Sequence, residues 1–246
     1  MKIITYSLKD KLTFIEESCL KSWIKNDYEV DLYCYSKTPT SLKINIKNAE
    51  KLIKKEEIDK IKLEIFQKFF FKIKISYLIG GVIIDPDVFC LKKYDFKEQT
   101  LVSCSPSPNY LESYPDFCIF KFPKRSKEMQ YIVHHFFMVY NDTINGYNLN
   151  HTISFLLIRL VNKVFKLNKK DWKFSNSCNE EHWKLQLNIM LDISRLRSFT
   201  GGNKDYITDE KNLGHFLKIW QDIILLNIPD FDIKKHKDSL LGKILR

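Results

Sequence analysis

Two aspartates one residue apart, Asp85 and Asp87, stand where the apolar run Val82-Ile83-Ile84 ends. The run is β-branched, too short for a helix and suited to a buried strand. In an extended chain, residues i and i+2 point to the same side, so both carboxylates would face one place. Two carboxylates converging beside a strand end offer oxygen ligands to a hard divalent cation. Pro86 between them has no N–H to place in a ladder, which fits the end of a strand and not its middle. The same residues are also good turn chemistry, with Asp at the first position and Pro fixing φ at the second. The local pattern leaves both readings open.

The elements around the pair are those that could hold it in place. Gly80-Gly81 follow a Phe-rich stretch from Lys62 to Ile79 that reads as a helix, and glycine at φ > 0 ends a helix cheaply. Near the start, Lys2 to Tyr6 reads as a strand. Thr13-Phe-Ile-Glu16 is a capping box, and Ile15, Cys19, Leu20, Trp23 and Ile24 continue it as an apolar helical stripe. Glu29 to Tyr35 alternates as a strand. Strand, helix, strand is a βαβ unit and opens an α/β sheet. Further strands are expected at Ile44 to Ile46, Val88 to Leu91, Thr100 to Ser103 and Phe117 to Phe122, with a loop at Ser105 to Asn109. Asn48 to Lys60 reads as partly helical, and helices are expected at Glu128 to Tyr140, Asn150 to Lys166 and Thr208 to Leu226. No repeat or linker divides the chain, so one α/β domain with a more helical second half is the simplest architecture.

Composition narrows the function classes. A chain of 246 residues, 44% hydrophobic, can bury a sizeable core and is not disordered. The net charge of +10 favours anionic partners, but the basic residues are dispersed and form no nucleic-acid motif. Nucleic acid is therefore not expected. The six cysteines form no C-x-x-C pair, and Cys19, Cys34 and Cys90 fall inside apolar segments, as buried free thiols do. The opening MKIITYSLKDK is too weakly apolar for a signal sequence, and the run around Ile153 to Val161 is broken by Arg159. These features predict a soluble protein of a reducing, cytoplasmic compartment. The basic tail from Asp230 could dock on the inner face of an anionic membrane.

Four stretches together resemble the DXD-motif glycosyltransferases of the family 32 and capsular-polysaccharide type. ITYSLKDKLTFIEESCLKSWIKNDYEVDLYCY is similar to that family's opening strand, helix and second strand, and IKNAEKLIKKEEI to the segment that follows. YLIGGVIIDPDVFCLKKYDF is similar to its glycine-pair and DXD core, and GHFLKIWQDIILLNIPDFDIKKHKDSLLGKI to its terminal helix and tail. The resemblance implies a GT-A-like, Rossmann-type mixed sheet flanked by helices. Residues 1–125 would form the nucleotide-sugar-binding half, and 126–246 a mainly helical acceptor-side half. It also implies a Mn²⁺- or Mg²⁺-dependent transfer from a nucleotide-sugar donor to a glycan or lipid-linked acceptor.

Residue by residue, the resemblance implies that Asp87 ligates the metal and that Asp85 contacts sugar or ribose hydroxyls and stands beside the metal. His215 would be a further ligand, and Asp116 would join the two aspartates in catalysis. Tyr6, Ser7, Lys72, Tyr77, Gly80 and Gly81 would line the donor. The chain departs from the family pattern in several places: Phe69 and Lys72 stand where an Asp and an Arg usually help to hold the nucleotide-sugar, Ser7 where a Trp is expected, and Ile153-Ser154 where a Gly-Pro pair is expected. A non-catalytic member that binds a sugar or a partner enzyme is the second reading. Trp172, His182 and Trp183 are candidates for stacking on an acceptor, and Glu180-Glu181 for a base or a cap. His134-His135 read as structural.

Overall fold

The computed structural model describes residues 1–36, 40–97, 99–106, 113–146 and 216–218. The chain opens with β1 (Lys2–Ser7), α1 (Phe14–Lys25) and β2 (Glu29–Cys34), a βαβ unit whose strands run parallel from Lys2↔Glu29 to Ser7↔Cys34. The capping box forms as the sequence predicts. The Thr13 side chain accepts the Glu16 N–H, and Glu16 accepts the Thr13 N–H at 2.7 Å, satisfying two donors that a helix start leaves open. Next come β3 (Asn45–Asn48), a 3₁₀ turn at Ala49–Lys51 and two helices, α2 (Lys55–Asp59) and α3 (Glu64–Ile79).

The glycine pair then reverses the chain into β4 (Gly81–Ile84), followed by β5 (Val88–Cys90), β6 (Leu101–Pro106), β7 (Ser113–Phe122) and α4 (Lys127–Gly146). Gly80 adopts φ 69°, ψ −168°, a region that only glycine enters without strain, and Gly81 has φ 94°. A further strand, β8 (Phe216–Lys218), pairs antiparallel with β5.

The described residues build a six-stranded sheet in the order β3-β2-β1-β4-β7-β6. The four strands from β3 to β4 are parallel, while β7 and β6 join antiparallel. Both faces are covered, which is why the central strands read as continuous apolar runs. On one face, Ile4, Tyr6, Ile83 and Phe120 pack with the phenylalanines of α3 and with Phe136 and Tyr140 of α4. On the other face, Ile3, Leu32, Val82 and Ile84 pack with Leu20 and Trp23 of α1. Consecutive residues of β4 thus serve opposite cores, as the pleat requires.

Three local expectations change. Phe216–Lys218 is a strand and not part of a helix from Thr208 to Leu226, because its backbone completes the open edge of β5. Tertiary pairing of this kind overrides a helical spacing of apolar residues. The β6/β7 pair is longer than expected and takes in Ser105 and Pro106, which the sequence assigns to a loop. The aspartate pair itself does not continue as extended strand. The Val88 N–H reaches the Asp85 carbonyl at 3.2 Å, so Asp85-Pro86-Asp87-Val88 closes as a turn. Asp85 and Asp87 are thus the first and third residues of a turn that follows β4, and the same-side argument for an extended chain does not apply to them. The helix expected from Asn150 to Lys166, and the tail from Asp230, lie outside the described residues.

Candidate functional site

The strand order fixes where a site can form. Chain connections run from β1 outward to β2 and β3, and then return to the opposite flank of β1 with β4. The carboxyl ends of β1 and β4 therefore border a topological switch point, where open α/β sheets leave a crevice for ligands. Tyr6 and Ser7 end β1, and Asp85 follows β4.

Asp85 is held from three sides. The parallel register Ile3↔Val82, Ile4↔Ile83, carried two steps further, sets Tyr6 beside Asp85, and the Tyr6 hydroxyl donates to Asp85 Oδ1 at 3.0 Å. On the other flank, the pair Ile84↔Ile119 leads to Cys118, whose carbonyl accepts the Asp85 N–H at 2.8 Å. From below, Lys72 Nζ donates to Asp85 Oδ1 at 2.9 Å and to Oδ2 at 3.1 Å. Elementary geometry accounts for this last contact. Lys72 lies eight residues before Gly80 on a helix, about 12 Å at 1.5 Å per residue. Asp85 lies four residues past Gly81 along a strand, about 13 Å at 3.3 Å per residue. The sharp turn at the glycines lays helix and strand alongside each other in opposite directions, so cation and carboxylate come level. Both are buried, Lys72 7% exposed and Asp85 8%, and a buried charge requires such a partner.

Asp87 is equally buried, at 8% exposed, and occupies the third position of the turn. The strand that follows it is fastened to α1. The Trp23 indole N–H donates to the Val88 carbonyl at 2.7 Å, the Cys90 N–H donates to Ser22 Oγ at 2.7 Å, and Asn26 Nδ2 donates to the Cys90 carbonyl at 3.1 Å. The sequence shows Trp23 as part of an apolar stripe and gives no sign that its indole N–H anchors the far side of the turn. Ser22 and Asn26 are missed for the same reason. Burial pushes the Cys90 thiol up from its ordinary 9.0 to about 12, which favours the neutral thiol over the thiolate.

The remaining predicted residues divide by position. Ser7 is buried at the site end of β1, where its hydroxyl donates to the Lys9 carbonyl at 3.1 Å and accepts the Lys9 N–H at 3.3 Å. Tyr77, Gly80 and Gly81 lie at the opposite, amino-terminal end of β4. There the Tyr77 carbonyl accepts the Arg125 N–H, and a Cβ on Gly80 would come within 2.5 Å of the Lys124 nitrogen. These three shape the reversal that aligns Lys72 with Asp85. Asp116 lies in β7 where pairing with β6 is irregular, one residue before Phe117, which is fully buried with φ 52°. Phe69 belongs to the core, edge-on to Phe117 at 5.9 Å and near Phe136 at 6.2 Å. His135 stacks on Tyr131 within α4 at 4.0 Å, which fits its structural reading. His215, Trp172, Glu180, Glu181, His182 and Trp183 lie outside the described residues.

Among the described residues, no three His, Cys, Asp or Glu side chains gather to hold a metal ion. Of the residues on the turn, Asp87 is the one that could give a carboxylate oxygen to a divalent cation. Among the same residues, no helix is long and apolar enough to cross a membrane.

No protein-family model matches the chain, and no curated protein matches it at a significant level. Among solved structures it is similar to the PaToxG glycosyltransferase, with 11% identity and a TM-score of 0.47 over 68% of this chain and 73% of that one. It is also similar to the glycosyltransferase GlyE of Streptococcus pneumoniae TIGR4, with 8% identity and a TM-score of 0.45 over 99% of this chain and 64% of that one. The apo form of GlyE gives 8% identity and a TM-score of 0.43 over 100% and 64%. The chain thus spans 64% of the GlyE chain's length, and the likeness supplies no residue-by-residue correspondence.

Proposed function

We propose that the protein is a metal-dependent glycosyltransferase. It would move a sugar from a nucleoside-diphosphate donor, UDP-linked and with retention, to a hydroxyl of a surface-polysaccharide or lipid-linked glycan. The observation that carries this reading is the placement of Asp85 and Asp87 on one turn at the carboxyl ends of β1 and β4. Open α/β sheets bind nucleotides at such a switch point, and an acidic turn there suits the cation that accompanies a diphosphate. Expelling a diphosphate is the demanding part of such a transfer, because negative charge grows on the leaving oxygens. A divalent cation, when bound, supplies Lewis-acid stabilisation of that charge. The chain's own contribution is to carry Asp87 on the turn and to fix Asp85 through Tyr6, Lys72 and the Cys118 carbonyl.

A second reading has its own observation. Lys72 is committed to Asp85, and Phe69 is buried in the core, so neither stands ready as a clamp on a nucleotide-sugar. A non-catalytic protein that binds a sugar or a partner enzyme would tolerate that loss.

Thermal melting with a panel of nucleoside diphosphates and their sugar conjugates, with and without Mn²⁺, tests the first reading. It expects Mn²⁺-dependent stabilisation by at least one of them, abolished in Asp87→Ala, together with slow hydrolysis of the matching sugar nucleotide. Stabilisation by none of them, or one unchanged in Asp87→Ala, overturns it. Stabilisation without hydrolysis or transfer selects the second reading.

A further inference from the structure

Lys72 and Tyr6 are expected from the sequence to touch the donor, yet both side chains are directed at another residue of the site. Lys72 Nζ engages both oxygens of Asp85, and the Tyr6 hydroxyl engages one of them, all within 3.1 Å. All three side chains are buried. The contacts arrive from different elements: Tyr6 from β1, Lys72 from α3 and the Cys118 carbonyl from β7. A carboxylate gripped at both oxygens by side chains, and at its own backbone by a neighbouring strand, has its plane and its position fixed.

We infer that Lys72 and Tyr6 are positioning residues that act on a bound nucleotide only through Asp85. The inference rests on the proposed nucleotide site. A lysine that clamps phosphate acts as an independent point charge, so its removal weakens a nucleotide whatever stands at position 85. A lysine that orients a carboxylate has no separate effect once that carboxylate is gone. The buried pair also explains how the chain accommodates a lysine at this depth, since the ammonium finds its counter-charge inside the protein. Phe69, three residues before Lys72 on α3, packs its ring edge-on to Phe117 in the core.

A double-mutant cycle read by calorimetry separates the two roles. The ligands are UDP and GDP with Mn²⁺, and the proteins are the full chain and its Lys72→Met, Asp85→Asn and doubly substituted forms. Lys72→Met is expected to weaken the nucleotide by about tenfold or more, the worth of one hydrogen bond to a charged group. In the Asp85→Asn background, the same change is expected to leave Kd within about twofold, the limit of independence for a cycle. Tyr6→Phe should behave in the same way with a smaller first effect, and it serves the test if Lys72→Met does not fold. A loss of about tenfold in the Asp85→Asn background shows direct contact with phosphate and overturns the inference. So does unchanged affinity when Lys72 or Tyr6 alone is substituted. Failure of the unsubstituted protein to bind either nucleotide overturns the proposed function and this inference with it, a result distinct from the other two.

Discussion

At the residue scale, the proposed site has two kinds of position that look alike in the sequence: those expected to meet a ligand and those that hold or align them. Asp85 and Asp87 belong to the first kind, and Lys72, Tyr6 and Gly80 to the second. Gly80 shows the difference most sharply. Its φ 69°, ψ −168° conformation is open only to glycine at low cost, and an added Cβ would sit 2.5 Å from the Lys124 backbone nitrogen. Gly80→Ala is therefore expected to cost roughly 3 kcal/mol of stability, from backbone strain together with a clash against main chain that cannot swing aside. A urea titration checks this by a lower midpoint at constant slope, and an unchanged midpoint contradicts it. The glycine pair is legible in the sequence as a helix stop, and the aspartates as a pair. That Lys72 spends its charge on Asp85 is not legible there, because the contact depends on the lengths of a helix and a strand laid side by side.

At the scale of elements, β5 ties the acidic turn to the rest of the fold. It has three residues, one edge fastened by side chains of α1 and the other paired with β8. Trp23→Phe keeps a ring in the core and removes the N–H that serves the Val88 carbonyl. The expected cost is about 1–3 kcal/mol, the penalty of a buried acceptor left without its donor. Hydrogen exchange should show the loss locally, with faster exchange at Val88 and Cys90 and unchanged protection in β2. Uniform acceleration across the sheet would show that Trp23 supports the core in general and not this strand. The elements themselves were largely legible. The βαβ start, the capping box, α3 and β4 follow from periodicity and end signals that act within a few residues. β8 was not legible, because a three-residue strand exists only through its partner, and its apolar spacing also suits a helix.

At the scale of the whole molecule, the informative feature is the strand order, and no local signal carries it. The sequence yields strands and helices in sequence order. The return of β4 to the free flank of β1, which creates the switch point, is a non-local pairing. The mixed sheet with helices on its faces was expected, and the described residues show it. Its antiparallel edge, β7 and β6, supplies the Cys118 carbonyl that completes the hold on Asp85. On the proposed function, the carboxyl ends of β1 and β4 form the nucleotide site, with Asp87 as its acidic contact for a cation. A crystal structure of the protein soaked with UDP or GDP and Mn²⁺ measures this most directly. The expected result is an anomalous manganese peak at coordination distance from an Asp87 oxygen and from the diphosphate, with Asp85 still held by Lys72 and Tyr6. A diphosphate bound elsewhere on the molecule, or a manganese peak away from Asp87, would contradict it.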